Sequence, residues 1–431
     1  MSAGAASRRR AVVLVLDGLM RRDVAPETMP AITALRRRAT WFDAHRGVFP
    51  SVTRVSAASL ATGCRPAGHG LAGNAVALVE NGGLAVHDVG PPEFVATKRR
   101  LTGRVLDRPT LAERLAALGA AVAIGNASPG AAYMLDPDGH GHVWHRAGSY
   151  GPGRAPLVGP AGLAISNDGA GDTLATERFI AEYTRLRPAL GILWLCEPDK
   201  TQHATGLAGE AHRAALAAAD RRVARVAAAV EALRALGEEI LFVLASDHGH
   251  ETVAEIVDVD AELIAAGLKA AEGSDDVVVA PNGTAALVYV APEAEPRRAA
   301  IGRFLATRTW AARVIDEREF DAVGLPFGGG LAFAVSLSEA PGIDGASSVS
   351  RAAKPLDGKP DRLGTGQHGG FGSGEQSPVL LCDGPGFALA GHVDRPTSLV
   401  DIAPTVLAHF GLPHDGTEGC PLQSMPTSGN S

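Results

Sequence analysis

Three apolar runs, each closely followed by an aspartate, limit what this chain can fold into. Residues 11–16 read AVVLVL and enter Asp17-Gly18; residues 190–195 read LGILWL, with Glu197 and Asp199 just beyond; residues 240–245 read ILFVLA and enter Ser246-Asp247-His248. Continuous β-rich runs of this length are strands buried on both faces, as in parallel sheets. Residues 378–381 offer a fourth. Between them, residues 29–38, 110–118, 210–236 and 398–410 carry helical periodicity, and Gly119, Gly237 and Gly411-Leu412-Pro413 supply stops. Strands alternating with helices predict an α/β fold, a mostly parallel central sheet with helices on both faces. In such sheets chemistry gathers beyond the carboxyl ends of the strands, where all three aspartates fall.

At 431 residues the chain suits a large core with an inserted lobe. Residues 277–279 and Ala285–Val290 read as strands around Asn282-Gly283, a hairpin dipeptide, and a helix follows near residues 297–307. We expect a catalytic core over residues 8–250 and 361–425 and an α+β cap lobe over residues 251–360. The segments 75–108 and 128–172 read as loops over the sheet edge. A net charge of −7 argues against a dedicated nucleic-acid binder. No run approaches the roughly 20 apolar residues of a membrane span. The six-residue run ending at Asp17 is short for a signal peptide, so a cytoplasmic protein is expected. Cys64, Cys196, Cys382 and Cys420 lie far apart and read as reduced thiols.

The unusual polar residues form a set. Asp17, Asp199 with His203 four residues on, Asp247 with His248, and His368 in Gly-Gln-His-Gly-Gly make three carboxylates and three imidazoles. Each alone could be a cap, a turn or a satisfied buried group. Together they suit two divalent ions, zinc first, with manganese or iron as alternatives. Thr53 stands at the mouth of a helical stretch, placed either as an N-terminal cap or as a nucleophile beside a cation.

These pieces occur in one order: Val-Leu-Asp-Gly at residues 15–18, Phe-Pro-Ser-x-Thr at 49–53, Ala-Thr-Gly-x-Arg-Pro-x-x-His-Gly-x-x-x-Asn at 61–74, Pro-Asp-x-x-x-His at 198–203, Ser-Asp-His-Gly at 246–249 and His-Gly-Gly at 368–370. The whole resembles the alkaline phosphatase superfamily. Within it the chain is most similar to the type I phosphodiesterase/nucleotide pyrophosphatase and phosphonoacetate hydrolase branches. The resemblance implies Asp17, Thr53, Asp247 and His248 around one zinc ion, and Asp199, His203 and His368 around a second. It implies Thr53 as the nucleophile that becomes phosphorylated, and Asn74 as an amide donor to a phosphoryl oxygen. The implied function is di-zinc hydrolysis of a phosphodiester or nucleotide-type pyrophosphate through a phospho-threonine. The alternatives are carbon–phosphorus hydrolysis and phosphotransfer at the same sites. The implied partner is a small-molecule phosphoester or phosphonate; the oligomeric state stays open.

The chain departs from the pattern at Arg54, where nucleotide-cleaving relatives carry an aromatic that stacks on the base. Ser56 replaces an asparagine, and Gln202 a glycine. A guanidinium at position 54 could instead bind an anionic substrate group. Some look-alikes fall away. Gly68–Gly73 fits G-x-G-x-x-G but follows no strand, and His250-Glu251 lacks a histidine at 254. His140, His142 and His145 read as a solvated loop, or else as an entrance lining or an extra metal site. Arg213, Arg221, Arg222 and Arg225 read as a solvated helix face.

Overall fold

The computed structural model describes residues 9–337 and 349–424. Residues 8 and 425, and residues 338–348 of the expected lobe, lie outside that range. Ten strands form the main sheet. In chain order they are Arg9–Leu16 (β1), Thr40–Phe42 (β2), Val122–Gly125 (β3), His142–Trp144 (β4), Ser149–Gly151 (β5), Ala155–Leu157 (β6), Leu190–Leu195 (β7), Glu239–Ala245 (β8), Leu380–Asp383 (β9) and Gly391–Val393 (β10). Their order across the sheet is β10-β2-β9-β8-β1-β7-β3-β4-β5-β6. The stretch from β8 to β4 is parallel throughout. Antiparallel pairings at β9 with β8 and β2, and at β5 with β4 and β6, make the two flanks mixed.

The apolar runs become central strands because both faces of β1 are covered. Val13 and Val15 enter one apolar layer with Val55 and Leu60 of Thr53–Thr62 (α1). Val12, Leu14 and Leu16 enter the other, with Phe179 of Gly169–Leu186 (α2) and Val223 of Glu210–Ala235 (α3). Ile402–His409 (α4) closes the first face. The fold is thus the expected α/β arrangement with a mostly parallel central sheet. Among the described residues no helix is long and apolar enough to cross a membrane.

Residues 75–108 are not a loop. Ala75–Glu80 and Gly83–Asp88 pair as an antiparallel hairpin, and Glu93–Thr102 is a helix. Asn81 and Gly82 form the turn with φ of +53° and +90°, the left-handed values that a two-residue hairpin favours. Residues 128–172 likewise supply β4, β5 and β6, which extend the main sheet. The expected strand at 378–381 begins at Leu380 and runs antiparallel to β8.

Within residues 251–360, Glu251–Val257 pairs with Val349–Ala353 and with Gly366–Gln367. Val277–Asn282, Ala285–Val290, Leu331–Leu337 and Ala311–Asp316 form a four-stranded antiparallel sheet. The expected hairpin is present, but its turn is Gly283-Thr284, one position later, because Asn282 pairs with Ala285. That turn presses on the segment after Gln367. Thr284 N donates to His368 O (3.1 Å), and a Cβ on Gly283 would lie 1.9 Å from that same oxygen. Only glycine fits there.

Candidate active site

The carboxyl ends of β8, β1 and β7 are tied to one another by backbone bonds. Asp17 N donates to Leu195 O (3.1 Å), and Asp199 N donates to Asp17 O (3.0 Å). Gly18 turns the chain with φ +72°, and its N–H donates to Asp247 Oδ1 (3.1 Å). A side chain at Gly18 would meet Gln202 Oε1 at 2.7 Å and His250 Nε2 at 2.9 Å. The three aspartates expected from the sequence therefore converge because neighbouring parallel strands end side by side.

Two donor groups result. In the first, His248 Nε2 lies 3.4 Å from Asp17 Oδ1, 3.1 Å from Asp247 Oδ2 and 3.2 Å from Thr53 Oγ1. In the second, Asp199 Oδ1 lies 2.8 Å from His250 Nε2, 3.3 Å from His203 Nε2 and 3.7 Å from His368 Nε2. The groups adjoin, since the His248 and His368 rings stack with centroids 3.5 Å apart. Asp17, Asp247 and the histidines at 248, 250 and 368 are almost wholly buried.

Backbone carbonyls fix the rings. His203 Nδ1 donates to Gly366 O (2.7 Å), His368 Nδ1 to Ser51 O (2.7 Å) and His248 Nδ1 to Gly249 O (3.1 Å). Each such bond leaves Nε2 with its lone pair aimed into the site, as a metal-binding imidazole requires. His250 is oriented the other way: its Nε2 donates to Asp199, and its buried Nδ1 has no hydrogen-bond partner.

The electrostatics set the rings apart: burial lowers His203, His250 and His368, whereas burial would lower His248 too but Asp247 outweighs it and raises it. Burial pushes His250 down to about 3. Burial, and then neighbouring His248 and His250, hold His368 well below its ordinary value. Burial, and then Asp247 and Asp199, raise Asp17 well above the carboxylate range. Burial would raise Asp199 too, but His203 and the hydrogen bond from His250 outweigh it and hold it well down. Asp17 Oδ1 and Asp247 Oδ2 are buried without an aligned hydrogen-bond donor. Crowded carboxylates with orphaned oxygens are a mismatch that a cation would relieve.

Thr53 is the first residue of α1 and is 7% exposed. It opens, with Arg54, Asn74, Asp199, His203 and His368, on a cavity of about 330 Å³. Asn74 Oδ1 accepts from Arg54 N (3.1 Å), so the amide NH2 is the part of Asn74 left for a ligand.

All nine residues singled out in the sequence thus surround one cavity or its floor. His250 was not among them; it is brought in by the short run Asp-His-Gly-His, a signal readable only as a second histidine two residues on. Asn282 was read as a turn residue, yet its Oδ1 accepts from Asn74 N (2.6 Å) and its Nδ2 donates to Ala75 O (3.0 Å), which fixes the Asn74 segment. His140, His142 and His145 do not line the cavity. His145 is buried rather than solvated, bonded to Ala127 O and Ala147 N, and His142 stacks on Trp144. Arg222 is buried as well, with its guanidinium on Gly169 O and Thr173.

The family model for type I phosphodiesterase/nucleotide pyrophosphatase matches residues 11–304, a span that holds every one of these site residues except His368. The chain belongs to this family. It is accordingly an enzyme, a metal-dependent hydrolase of the phosphodiesterase/nucleotide pyrophosphatase type. Among solved structures, murine ectonucleotide pyrophosphatase/phosphodiesterase 5 superposes with a TM-score of 0.66 at 15% identity, covering 97% of this chain and 100% of that one. An inactive threonine-to-alanine form of the same murine protein, in complex with AMP, matches with the same TM-score, identity and coverage. This likeness places the fold with the alkaline phosphatase-like structures. No curated protein matches the sequence.

Proposed function

We propose that this member of the family is a di-zinc hydrolase that cleaves phosphodiester or nucleotide-type pyrophosphate bonds through a phospho-threonine. The observation that carries the reading is Thr53 Oγ1 at 3.2 Å from His248 Nε2, between two donor groups and facing a cavity. Asp17, Thr53, Asp247 and His248 would hold one ion, and Asp199, His203 and His368 the other, with His250 beside Asp199. The all-nitrogen-and-oxygen donor sets, and the orphaned oxygens of Asp17 and Asp247, fit divalent zinc. When bound, two such ions supply positive charge for the attacking and leaving oxygens of an in-line displacement.

The chain's own groups do the rest. Thr53 Oγ1 loses its proton to solvent in the cavity and attacks phosphorus, the phosphorus–oxygen bond to the leaving group breaks, and the leaving oxygen takes a proton from water. Asn74, held by Arg54 N and Asn282, donates its amide to a non-bridging oxygen. Water then attacks the phospho-threonine and frees Thr53. A threonine is also what was replaced in the inactive murine relative that holds AMP.

Two predictions follow from these roles. Zinc-loaded enzyme should hydrolyse an aryl phosphodiester at least about tenfold faster than the matching monoester. The reason is that Asn74 offers a neutral donor, whereas the extra charge of a monoester calls for an added cation. A preference for the monoester, read from kcat/KM, would overturn the diesterase reading. His250→Ala should weaken zinc at the Asp199 site by about 10–100-fold, the usual cost of losing a group that orients a ligand. Chelator competition should show the Asp17 site still loaded; an Asp199-site affinity unchanged from the parent would remove His250 from the machinery.

A second reading, hydrolysis of a phosphonate carbon–phosphorus bond, is favoured by one observation: Arg54 stands where nucleotide-cleaving relatives have a stacking ring.

A further inference from the structure

The cavity in front of Thr53 is lined, among the described residues, by no Phe, Tyr or Trp. It carries instead five cationic side chains, Arg54, Arg146, Lys200, Lys359 and Arg362, against two carboxylates other than Asp17 and Asp199, namely Asp88 and Asp361. Lys359 is neutralised by Asp88 at 2.6 Å, and Arg362 reaches the carbonyl of His203. Arg54 and Arg146 have no carboxylate within ion-pair distance among the described residues. Arg54, the second residue of α1, rests its stem against Gly130, where a Cβ would lie 3.2 Å from its Cγ, and sets its guanidinium near Gly90, where a Cβ would lie 2.8 Å from its Nη2 and 3.0 Å from Asp88 Oδ1. Among the described residues its guanidinium donates no hydrogen bond, and its Nε is buried and unpartnered. Arg146 spends Nη1 on the carbonyls of Asn126 (2.8 Å) and Ala127 (2.9 Å), just beyond the carboxyl end of β3. Carbonyls orient that guanidinium but leave its charge unpaired.

The sheet order gives the direction. Asp247 and His248 follow β8, Asp17 follows β1 and Asp199 follows β7, and Arg146 lies over the next strand, β3. It therefore lies on the β3 side of the last carboxylate, in the lining of the same cavity. Arg54 adjoins Thr53 in sequence and lines the same cavity as Arg146. Both guanidiniums are half-buried with donors left over, Arg54 facing Asp88, Asp17 and Asp199 without an ion pair, and a carboxylate or phosphate matches the planar fork.

Building on the proposed hydrolysis, we infer that Arg54 and Arg146 form an anion subsite for a second negatively charged group of the substrate. That group is a carboxylate or phosphate on the substituent that stays with the phosphorus. The preferred substrates are then phosphoesters or phosphonates with an anionic arm, rather than nucleotides held by a stacked base.

The test separates binding from turnover. In the full-length, zinc-loaded Thr53→Ala protein, calorimetry should show carboxymethyl 4-nitrophenyl phosphate binding at least about tenfold more tightly than methyl 4-nitrophenyl phosphate, the scale of one charge-assisted pair. Adding Arg146→Gln should cut that ratio at least about fivefold. Arg54→Gln should do the same, and carries the test if loss of the Arg146 carbonyl bonds prevents folding. Replacing the carboxymethyl arm with a phosphoryl-bearing one distinguishes the two anions. Equal affinity for the two diesters, or a ratio untouched by both substitutions, overturns the subsite. Hydrolysis is read in parallel on the Thr53 enzyme. No turnover with the affinity ratio preserved would overturn the proposed hydrolysis and still support the subsite.

Discussion

Thr53→Ala is expected to lower kcat/KM on an aryl phosphodiester by at least roughly 10³-fold, the scale of losing a covalent nucleophile. The fold should survive. Thr53 starts α1 from an extended Val52, and its hydroxyl makes one bond, to His248 Nε2 at 3.2 Å. Neither the helix nor the apolar layer beneath it depends on that oxygen. Zinc should remain bound, because Asp17, Asp247 and His248 supply the other donors of the first group. Thr53→Ser should restore activity to within about tenfold, since the hydroxyl returns and only a methyl is lost. Steady-state kinetics with metal analysis decide the matter. Activity of the alanine form within tenfold of the parent would remove Thr53 as nucleophile. Failure of serine to rescue would leave the hydroxyl chemistry unsupported.

The centre of this fold is legible in the sequence for a physical reason. A strand buried on both faces must be apolar at every position, so β1, β7 and β8 appear as unbroken runs. The aspartates lie one, two and four residues beyond the ends of β1, β8 and β7, and parallel neighbours bring them together. The motifs around Thr53 and His368 are legible for a different reason, as fragments of a family pattern whose spacing is set by the same strand ends. The flanks are harder. β4, β5 and β6 have three residues each, too few for any period, and are interleaved with glycine and proline. The hairpin at residues 75–88 did carry a signal, the dipeptide Asn81-Gly82 between alternating segments, of the same kind that marks Asn282-Gly283. At the second hairpin the dipeptide fixes the turn only to within one residue, because Asn282 is kept in the ladder by its bonds to Asn74 and Ala75. Partners more than 200 residues away in the chain write nothing locally. A shorter separation, 51 residues, hides His250 in the same way, since its role depends on Asp199 across the site.

Glu375→Ala is expected to cost about 3–5 kcal/mol of stability and to loosen the second donor group, although Glu375 touches no candidate ligand. Its carboxylate is the hub of the segment after His368. Oε2 accepts from Gly369 N (2.6 Å), Gly370 N (3.0 Å) and Thr284 Oγ1 (2.5 Å), and Oε1 accepts from Gly372 N (2.7 Å). Glu375 is 1% exposed, so water cannot replace it as acceptor without opening the site. Each buried donor left unpaired costs about 1–3 kcal/mol, and partial rearrangement keeps the total below the sum. Denaturant unfolding measures the loss. Zinc affinity should fall with it, because Gly369 N, freed from Glu375, no longer pins the residue next to His368. Glu375→Gln, which keeps an acceptor oxygen, should fall between the parent and the alanine form. Its pH dependence follows from burial, which pushes the Glu375 carboxyl up to about 7 while Thr284 pulls it down. The folded state therefore holds this proton more tightly than the unfolded chain does, so protonation favours folding as pH falls from above 7 toward the unfolded value near about 4.3. Glutamine cannot take up that proton. Its stability deficit relative to the parent should accordingly grow between pH 8 and pH 5, as read by melting temperature in the metal-free protein, and a constant deficit would place the carboxyl's titration elsewhere.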